Sequence, residues 1–531
     1  MAEYADLILK NANIITCDPE MPQAEAVAIR GNRIWLVGDS SEVLSAGDRS
    51  TRTVDCGGRT LVPGFIDAHC HFFSFVRKFF SLDLSPAAVR SIADIQESIR
   101  RKVSHTQRGT WISGTDYNEF YLAEKRHPTR RDLDAAAPDH PVILIHRSMH
   151  ACVLNSPALR IIGITNETEE PPAGMIDRDL DTGEPNGILF EMLGYVQERL
   201  QSPIPESEMD RAVGQASQQY LSVGITSFGE ATVSNDLDQW NAFSRLKEAG
   251  KITSRINMMP GSAFMKEFEE AGLVTGAGDD GLRIGNLKII LSEATGQIRP
   301  SQEELNRMVR KAVEAGFPAA IHAVERSTVE AAINALETAQ REIMHPHLTS
   351  PIKGEELVIR RHRIEHCSEC PPDLRQRLAK LRTVIVSQPP FLYYSGERYL
   401  SQVSPETQKW LYPFKSWLDN GLVVAGSSDS PVVSNNPLSG IFAAVTRQAE
   451  SGQTVLAEES VSVRQALEMY TVNAAYASGE EHIKGSITPG KLADIIMLSD
   501  NLLISPAEQI EDISVEMTIV DGKIVWERES L

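Results

Sequence analysis

Two histidines, His69 and His71, end the apolar run Val62-Pro-Gly-Phe-Ile-Asp-Ala-His-Cys-His71. In a β-strand, residues i and i+2 point to the same face, so this run predicts that both imidazoles aim at one point while Cys70 points away. Such a pair could chelate a metal ion. Two hydrogen-bonded histidines at the end of a strand would have the same spacing, so other parts of the chain must decide between the two interpretations.

Three later segments each place one strong metal ligand at the end of a short β-like run, and they end at His322, His366 and Asp429. Imidazole and carboxylate are ligands that Zn²⁺ and similar divalent ions accept. The convergence of these segments with the first pair favours a metal site over separate structural histidines. A second His-x-His, His345-Pro-His347, follows a long helical segment among polar residues, and we predict that it lies on the surface.

Short β-like runs alternate with helical segments along the chain, a pattern typical of βα units around a parallel sheet. The clearest helix begins at the capping box Ser301-Gln-Glu-Glu304 and ends at Gly316. Eight such units predict the α/β class and a (β/α)₈ TIM barrel, in which chemistry occurs at the C-terminal ends of the strands, where all five ligands fall. The eight runs are Gly64–His71, Gly224–Phe228, Arg255–Pro260, Gly285–Leu291, Ala319–Ala323, Arg363–Cys367, Thr383–Gln388 and Leu422–Ser427.

Two regions do not fit a plain barrel. The interval between the first and second strands is far longer than one βα unit, and it predicts an inserted α/β subdomain at about residues 75–200 that forms a lid. His146 and His150 in this insert could reach the site. Residues 1–62 and 478–531 contain strand-like pieces, joined near the N-terminus by Gly-Asn and Gly-Asp turns. They predict a small β-sandwich built from both termini, which leaves residues 63–477 for the barrel.

The composition excludes several classes of function. Lys and Arg number 52 and Asp and Glu 72, giving a net charge of −20 with no basic run, so neither nucleic acid nor a membrane is an expected partner. No basic–apolar leader and no apolar stretch of roughly 18 residues is present, which favours a cytoplasmic enzyme. The six cysteines are scattered, and Cys367-Ser-Glu-Cys370 lacks a second pair, so we expect reduced thiols. We expect a small-molecule substrate as the partner and leave monomer and homodimer open.

Several motifs together resemble the amidohydrolase superfamily, and within it the subgroup of YtcJ-like proteins and N-substituted formamide deformylases (amidohydrolase family 3). The likeness extends over nearly the whole chain and includes segments of the insert. The motifs are Pro63-Gly-Phe-Ile-Asp-Ala-His-Cys-His71, Ile364-Glu-His-Cys367, Gly426-Ser-Ser-Asp-Ser-Pro431, Gly485-Ser-Ile-Thr-Pro-Gly-Lys-Leu-Ala-Asp494, Val520-Asp-Gly-Lys-Ile-Val525, Trp111-Ile-Ser-Gly114, Asn155-Ser-Pro-Ala-Leu159 and Gly187-Ile-Leu-Phe-Glu191.

The resemblance implies a set of metal ligands for one or two ions, Zn²⁺ or another divalent metal. It assigns His69 and His71 to a first metal and His322 and His366 to a second or shared site. It assigns Asp429 both to the first metal and to proton transfer.

The resemblance also implies a role for Lys288, which matches a fourth-strand lysine that can be carbamylated to bridge two metals. An unmodified lysine is a cation and a poor ligand, so this role requires reaction with CO₂. The chain departs from many relatives soon afterwards, because it has Ser292-Glu-Ala-Thr-Gly296 where they have Asp-Gly. Substrate identity therefore does not transfer, and Glu293 is a candidate substrate-binding residue, as is His150.

The predicted chemistry is hydrolysis. A divalent metal with an open coordination position lowers the pKa of water to about 7. Asp429 can take the proton from that water and return it to the leaving nitrogen, while His322 or His150 could stabilise the oxyanion. We find no nucleophile elbow, Walker A loop or dinucleotide fingerprint.

The sequence therefore predicts a metal-dependent hydrolase of an amide or N-substituted formamide C–N bond in a small non-peptide molecule. A deaminase of a cyclic amidine on the same metal site is the alternative. A catalytically inactive binding or regulatory protein is a third interpretation, but all five predicted ligands are present.

Overall fold

A computed structural model describes residues 4–171, 174–199, 205–293, 296–344 and 361–529. The chain divides into two compact units, the first of Met1–His71, Val213–Leu291 and Pro300–Leu531 and the second of Phe72–Ala212 and Ser292–Arg299. The His345-Pro-His347 motif lies outside the described residues. Among the residues that are described, no helix is both long and apolar enough to cross a membrane.

The N-terminal part of the first unit is made of short strands with one short helix, α1 (Ser40–Leu44). Leu7–Lys10, Ala26–Arg30 and Thr60–Pro63 are largely apolar because both of their faces are buried, whereas Arg52–Asp55 is mostly exposed. The strands are β1 (Leu7–Lys10), β2 (Asn13–Ile15), β3 (Gln23–Ala24), β4 (Ala26–Arg30), β5 (Arg33–Gly38), β6 (Arg52–Asp55) and β7 (Thr60–Pro63). The first barrel strand, β8 (Phe65–Cys70), follows directly and is buried along its whole length.

The second unit contains one six-stranded mixed sheet, in the order β13-β14-β12-β11-β10-β9. These strands are β9 (Leu82–Asp83), β10 (Ile112–Tyr117), β11 (Val142–His146), β12 (Ala151–Leu154), β13 (Met175–Arg178) and β14 (Pro185–Phe190). Its helices are α2 (Phe72–Lys78), α3 (Ile92–Val103), α4 (Arg130–Asp134), α5 (Ser156–Ile162) and α6 (Leu193–Arg199), and α7 (Glu206–Ser222) leads back into the first unit. Ile95, Ile99, Leu133 and Leu144 belong to one of its apolar cores.

The remaining barrel strands pair in parallel in two sheets, β17-β16-β15-β8 and β18-β19-β20-β21-β22. They are β15 (Ile225–Glu230), β16 (Arg255–Met258), β17 (Leu282–Ile284), β18 (Leu287–Ile290), β19 (Ala319–Ala323), β20 (Arg363–His366), β21 (Val384–Ser387) and β22 (Val424–Gly426). Backbone hydrogen bonds join the two sheets at two places, from Lys288 N to Pro260 O (2.8 Å), just beyond β16, and from Asp429 N to His69 O (2.8 Å), just beyond β22. The strands therefore form a ring, which confirms the prediction of a TIM-barrel-like α/β fold.

Helices connect the barrel strands, as the alternating pattern predicted. They are α8 (Leu237–Glu248), α9 (Met265–Glu270), α10 (Gln302–Glu314), α11 (Arg326–Met344), α12 (Pro372–Leu381), α13 (Pro390–Gln402), α14 (Pro405–Gln408), α15 (Phe414–Asp419), α16 (Pro437–Thr446), α17 (Val463–Met469) and α18 (Val472–Ala477). The predicted capping box of α10 is confirmed, because Ser301 and Glu304 exchange side-chain-to-backbone hydrogen bonds. Gly316, just beyond α10, has a φ of 96°, which a glycine adopts without strain.

Strands from both ends of the chain share one sheet of the first unit. The C-terminal strands are β23 (Ile495–Leu498), β24 (Val515–Val520) and β25 (Lys523–Glu527), and the sheet order is β25-β24-β23-β7-β2-β3. A second sheet has the order β5-β4-β1-β6. Leu9, Val27, Leu61, Ile495 and Ile519 belong to one apolar core, in which residues from both ends of the chain pack together.

Candidate metal centre

The predicted first-metal ligands lie together at the C-terminal end of the barrel strands. His69 is on β8, and His71 follows that strand. Asp429 follows β22, whose end is hydrogen-bonded to the end of β8. One ligand atom from each of these three residues lies within 4.8 Å of the other two. His69 and His71 point to the same side because side chains alternate along a strand. Closure of the ring of strands then brings Asp429, which is far away in the sequence, next to them.

The distances within this cluster place one carboxylate oxygen between two imidazoles. Asp429 Oδ1 lies 3.0 Å from His71 Nε2 and 3.5 Å from His69 Nε2. The two imidazole rings are 5.4 Å apart and nearly perpendicular. Asp429 Oδ1 is buried and accepts no hydrogen bond of good geometry from the described residues. A buried carboxylate oxygen without a donor, beside two imidazole nitrogens, fits the coordination of a divalent cation.

Three histidines of the site use the Nδ1 atom for hydrogen bonds to the protein. His69 Nδ1 contacts Glu365 Oε2 at 2.5 Å, and His71 Nδ1 contacts Thr232 Oγ1 at 2.9 Å. His366 Nδ1 contacts Gln388 Oε1 at 2.7 Å. A hydrogen bond from Nδ1–H fixes the tautomer in which the Nε2 lone pair is available to a metal.

The predicted second pair, His322 and His366, lies at the ends of the neighbouring strands β19 and β20. The parallel register pairs His322 with Glu365 and Ala323 with His366. The rings of His322 and His366 are 4.3 Å apart, and those of His366 and His69 are 5.1 Å apart. The structure thus brings this pair beside the first cluster.

Lys288, on β18, reaches the same group of residues. Its Nζ lies 3.2 Å from His69 Nε2, and the side chain is buried. Burial disfavours the ammonium form and lowers the pKa of Lys288 to about 8. A larger fraction of neutral amine is therefore available at Lys288 than at an ordinary lysine, and the neutral amine is the form that reacts with CO₂.

The electrostatics of the cluster favour the protonation states of metal ligands. Burial lowers the pKa of His69 well below its usual value, and it also lowers the pKa of His366, so both imidazoles stay neutral. For Asp429, burial opposes the charged form, but the contact with His71 and the charges that the neighbouring histidines carry when protonated outweigh it and hold its pKa below the usual range. A neutral imidazole and an ionised carboxylate are the forms that bind metal.

The backbone at two of these residues is in the left-handed region. The φ angles of His366 and Asp429 are 70° and 58°. Non-glycine residues adopt this conformation at a cost, and it persists where the surrounding structure holds it, often at functional sites.

Some residues that hold this site in place were not predicted from the sequence. Asp67, on β8, accepts hydrogen bonds from Ser428 N (2.9 Å) and Ser428 Oγ (2.5 Å), and burial raises its pKa to about 7. This contact ties the loop that carries Asp429 to the strand that carries His69. The only available signal was that Asp67 is a carboxylate in an apolar run.

The other predicted residues are placed in the second unit. His150 is exposed, and its Nδ1 contacts Glu191 Oε1 at 2.9 Å. His146 is buried and contacts Ser148 Oγ through Nδ1 (2.7 Å) and Glu119 Oε2 through Nε2 (2.8 Å). Glu293 lies in the short segment Ser292–Arg299. The roles of His150 and Glu293 in substrate binding stay predictions.

The cysteines of the Cys367-Ser-Glu-Cys370 motif are not part of the cluster. Cys367 and Cys370 are free, buried thiols. Among the described residues, the group of three or more ligand side chains with metal-binding spacing is the one formed by His69, His71 and Asp429.

Comparison with known proteins agrees with the resemblance in the sequence. A model of the amidohydrolase family matches residues 52–526. The chain is 30% identical to the N-substituted formamide deformylase of Arthrobacter pascens over 99% of each chain. It is 27% identical to the putative amidohydrolase YtcJ of Bacillus subtilis (strain 168), over 97% of this chain and 98% of the relative. The subgroup indicated by the motifs is thereby confirmed.

The fold is also found among solved structures. An uncharacterized metal-dependent hydrolase from Pyrococcus horikoshii OT3 has a TM-score of 0.73 and 22% sequence identity, with coverage of 94% of this chain and 99% of that chain. This likeness concerns the fold alone.

Proposed function

The chain belongs to the amidohydrolase family and is a metal-dependent hydrolase of carbon–nitrogen bonds, and from this premise we propose that it cleaves an amide or N-substituted formamide bond of a small non-peptide molecule. The observation that carries the proposal is the likeness to a formamide deformylase over 99% of both chains. The cluster of His69, His71 and Asp429 at the ends of the barrel strands supports it.

We further propose which residues hold the metal. His69, His71 and Asp429 would hold a first ion, and His322 and His366 would hold a second or shared ion, bridged by Lys288 after carbamylation. We propose Zn²⁺, because imidazole nitrogen and carboxylate oxygen suit it. A divalent ion bound here would supply hydroxide near neutral pH and polarise the scissile carbonyl.

Asp429 is the proposed proton carrier of the reaction. Its Oδ1 faces His71 Nε2 (3.0 Å) and His69 Nε2 (3.5 Å), so the ionised carboxylate lies at the metal cluster, where it can accept a proton from the attacking water. It then donates that proton to the leaving nitrogen as the C–N bond breaks, so that a formamide and water give formate and an amine. His322, whose ring lies 4.3 Å from that of His366, is the proposed donor to the oxyanion.

We also propose a cytoplasmic location and a small-molecule substrate. The location rests on the six free cysteines, which are expected of a reducing compartment.

The experiment is a product assay with zinc-loaded protein. A panel of N-substituted formamides and matching acetamides would be assayed for primary amine, and a panel of cyclic amidines for ammonia. The exposed His105→Ala, in the second unit, is a control for histidine replacement, and His69→Ala is the inactive comparison. Primary amine release that requires His69 supports the proposal. Ammonia release from the amidines alone overturns it in favour of a deaminase, and no turnover on either panel favours a binding protein.

A further inference from the structure

A buried chain of polar contacts crosses the barrel interior to reach His69. Arg363 and Glu365 are two residues apart on β20 and therefore point to the same face of that strand. Arg363 Nε donates to Glu365 Oε1 (2.5 Å) and Arg363 Nη2 donates to Glu365 Oε2 (2.8 Å). Glu365 Oε2 in turn accepts from His69 Nδ1 at 2.5 Å. The side chains of all three residues are at most 1% exposed.

Arg363 also contacts the strand that carries His69. Its Nη2 donates to the carbonyl oxygen of Ala68 at 2.8 Å. The Arg363 guanidinium group thus fixes the position of the Glu365 carboxylate relative to two strands, β20, which carries both residues, and β8. A bidentate arginine–carboxylate pair has a defined geometry, so the Glu365 oxygen that meets His69 is held in one place.

The Nδ1 partner of His69 differs from those of the other two histidines. His71 contacts a hydroxyl group, that of Thr232, and His366 contacts a neutral amide, that of Gln388. The Thr232 hydroxyl can donate as well as accept, and the Gln388 amide is oriented as an acceptor because its Nε2 donates to Ser427 Oγ (3.0 Å). The carboxylate of Glu365 is instead held by an arginine and accepts through both of its oxygens. Of these three histidines, His69 is therefore the one whose Nδ1 meets a carboxylate that is itself paired with a buried arginine.

We propose that Glu365, braced by Arg363, is a positioning residue that fixes the Nδ1–H tautomer of His69 and strengthens its Nε2 as a metal ligand. The free Nε2 faces Asp429 Oδ1 (3.5 Å), and Lys288 Nζ lies 3.2 Å from it. A carboxylate hydrogen-bonded to a ligating histidine orients the ring and raises its basicity, and its loss typically lowers metal affinity by about 10–100-fold. The inference rests on the proposed function in one respect, that His69 binds the metal.

The test uses two matched variants of buried arginine–carboxylate pairs. Glu365→Gln replaces the carboxylate that accepts from His69 with an amide that can also donate, whereas Asp494→Asn alters a pair in which Asp494 accepts from Arg255. Asp494 accepts from Arg255 Nε (2.6 Å) and Arg255 Nη2 (2.8 Å), and both side chains are at most 6% exposed. Glu365→Gln removes the carboxylate paired with Arg363, and Asp494→Asn leaves Arg255 with the carboxylate of Asp521 alone (2.6 Å). Both variants are therefore expected to lower the melting temperature of the metal-free protein.

Zinc affinity, measured by competition with a chelator, separates a positioning role from a structural one. We expect Glu365→Gln to weaken zinc binding by about 10–100-fold and Asp494→Asn to leave it at the wild-type value. Equal affinity in Glu365→Gln and wild type would overturn the inference, as would an equal loss in both variants. If Glu365→Gln does not fold, the double variant Arg363→Gln/Glu365→Gln, which removes both buried charges, is measured in its place.

A second readout is the tautomer itself. In metal-free protein with ¹⁵N-labelled histidine, the His69 signal, assigned by its loss in His69→Ala, should show a protonated Nδ1. In Glu365→Gln the same signal should show a mixture of tautomers, and a wild-type ring protonated at Nε2 would contradict the inference. If His69→Ala binds zinc as tightly as wild type, the proposed metal site is wrong. If His69→Ala binds weakly and Glu365→Gln does not, only the inference about Glu365 is wrong.

Discussion

His71 Nε2 lies 3.0 Å from Asp429 Oδ1, at the point where the first strand of the barrel meets the last. The backbone holds the two residues in this relationship, because Asp429 N donates to His69 O (2.8 Å) and His71 N donates to Ser430 O (2.7 Å). The same backbone hydrogen bonds thus close the barrel and hold the metal cluster together. A variant that disrupts them should lose both metal and stability.

Removal of a histidine ligand should lower metal content more than it lowers stability. His69→Ala and His71→Ala each remove one nitrogen ligand from the cluster. We expect each to lower the zinc affinity by more than roughly 100-fold, the upper value for loss of a residue that is hydrogen-bonded to a metal ligand. Zinc content after dialysis, measured with the melting temperature, tests this expectation. His105→Ala should retain wild-type zinc, and full zinc in His69→Ala would contradict the assignment.

Replacement of Asp429 should reduce turnover more than substrate binding. Asp429→Asn removes the proposed proton carrier, so kcat should fall by about 10²-fold or more with a smaller change in KM. Because Asp429 Oδ1 also faces His69 and His71, metal content must be measured in the same samples. If the variant retains both its metal and a near-normal kcat, another residue carries the proton.

Carbamylation of Lys288 should depend on pH and on metal. Its pKa is lowered to about 8, so the neutral amine that attacks CO₂ predominates above that pH and becomes scarce below it. Incubation with ¹³C-bicarbonate and zinc should give a carbamate signal by NMR that is larger one pH unit above 8 than one unit below. Lys288→Gln should abolish the signal.

Lys247 is a matched control for this experiment. Burial also lowers its pKa to about 8, but its Nζ donates to the carbonyl oxygens of Thr253 (3.1 Å) and Ser254 (3.0 Å). We expect Lys247→Gln to keep the zinc-dependent signal. A signal that disappears in Lys247→Gln and persists in Lys288→Gln would refute the role of Lys288.

Much of the barrel could be predicted from local sequence. Each of the eight predicted runs overlaps a parallel strand. A run of apolar residues that ends in a polar group can be recognised from neighbouring residues alone. The short strand Leu282–Ile284 was not predicted. It has three residues, so it carries too few positions to show a period.

The contacts that orient the ligands could not be predicted in the same way. Glu365 meets His69 across the barrel, and Gln388 meets His366 from the next strand. Glu365 and Gln388 are at the ends of predicted strands, but a sequence does not show which partner on another strand a polar side chain will meet. The assignment of Ser292–Arg299 to the second unit likewise depends on tertiary packing rather than on its composition.

The most direct test of the metal site is anomalous diffraction at the zinc edge, from crystals grown with zinc. We expect an anomalous peak about 2.0–2.1 Å from the Nε2 atoms of His69 and His71 and about 2.0–2.2 Å from an oxygen of Asp429. Any second peak should be bound by His322 and His366, with Lys288 carbamylated between the two ions. Zinc bound only elsewhere on the protein, with these three residues free of metal in an active enzyme, would contradict the proposed site.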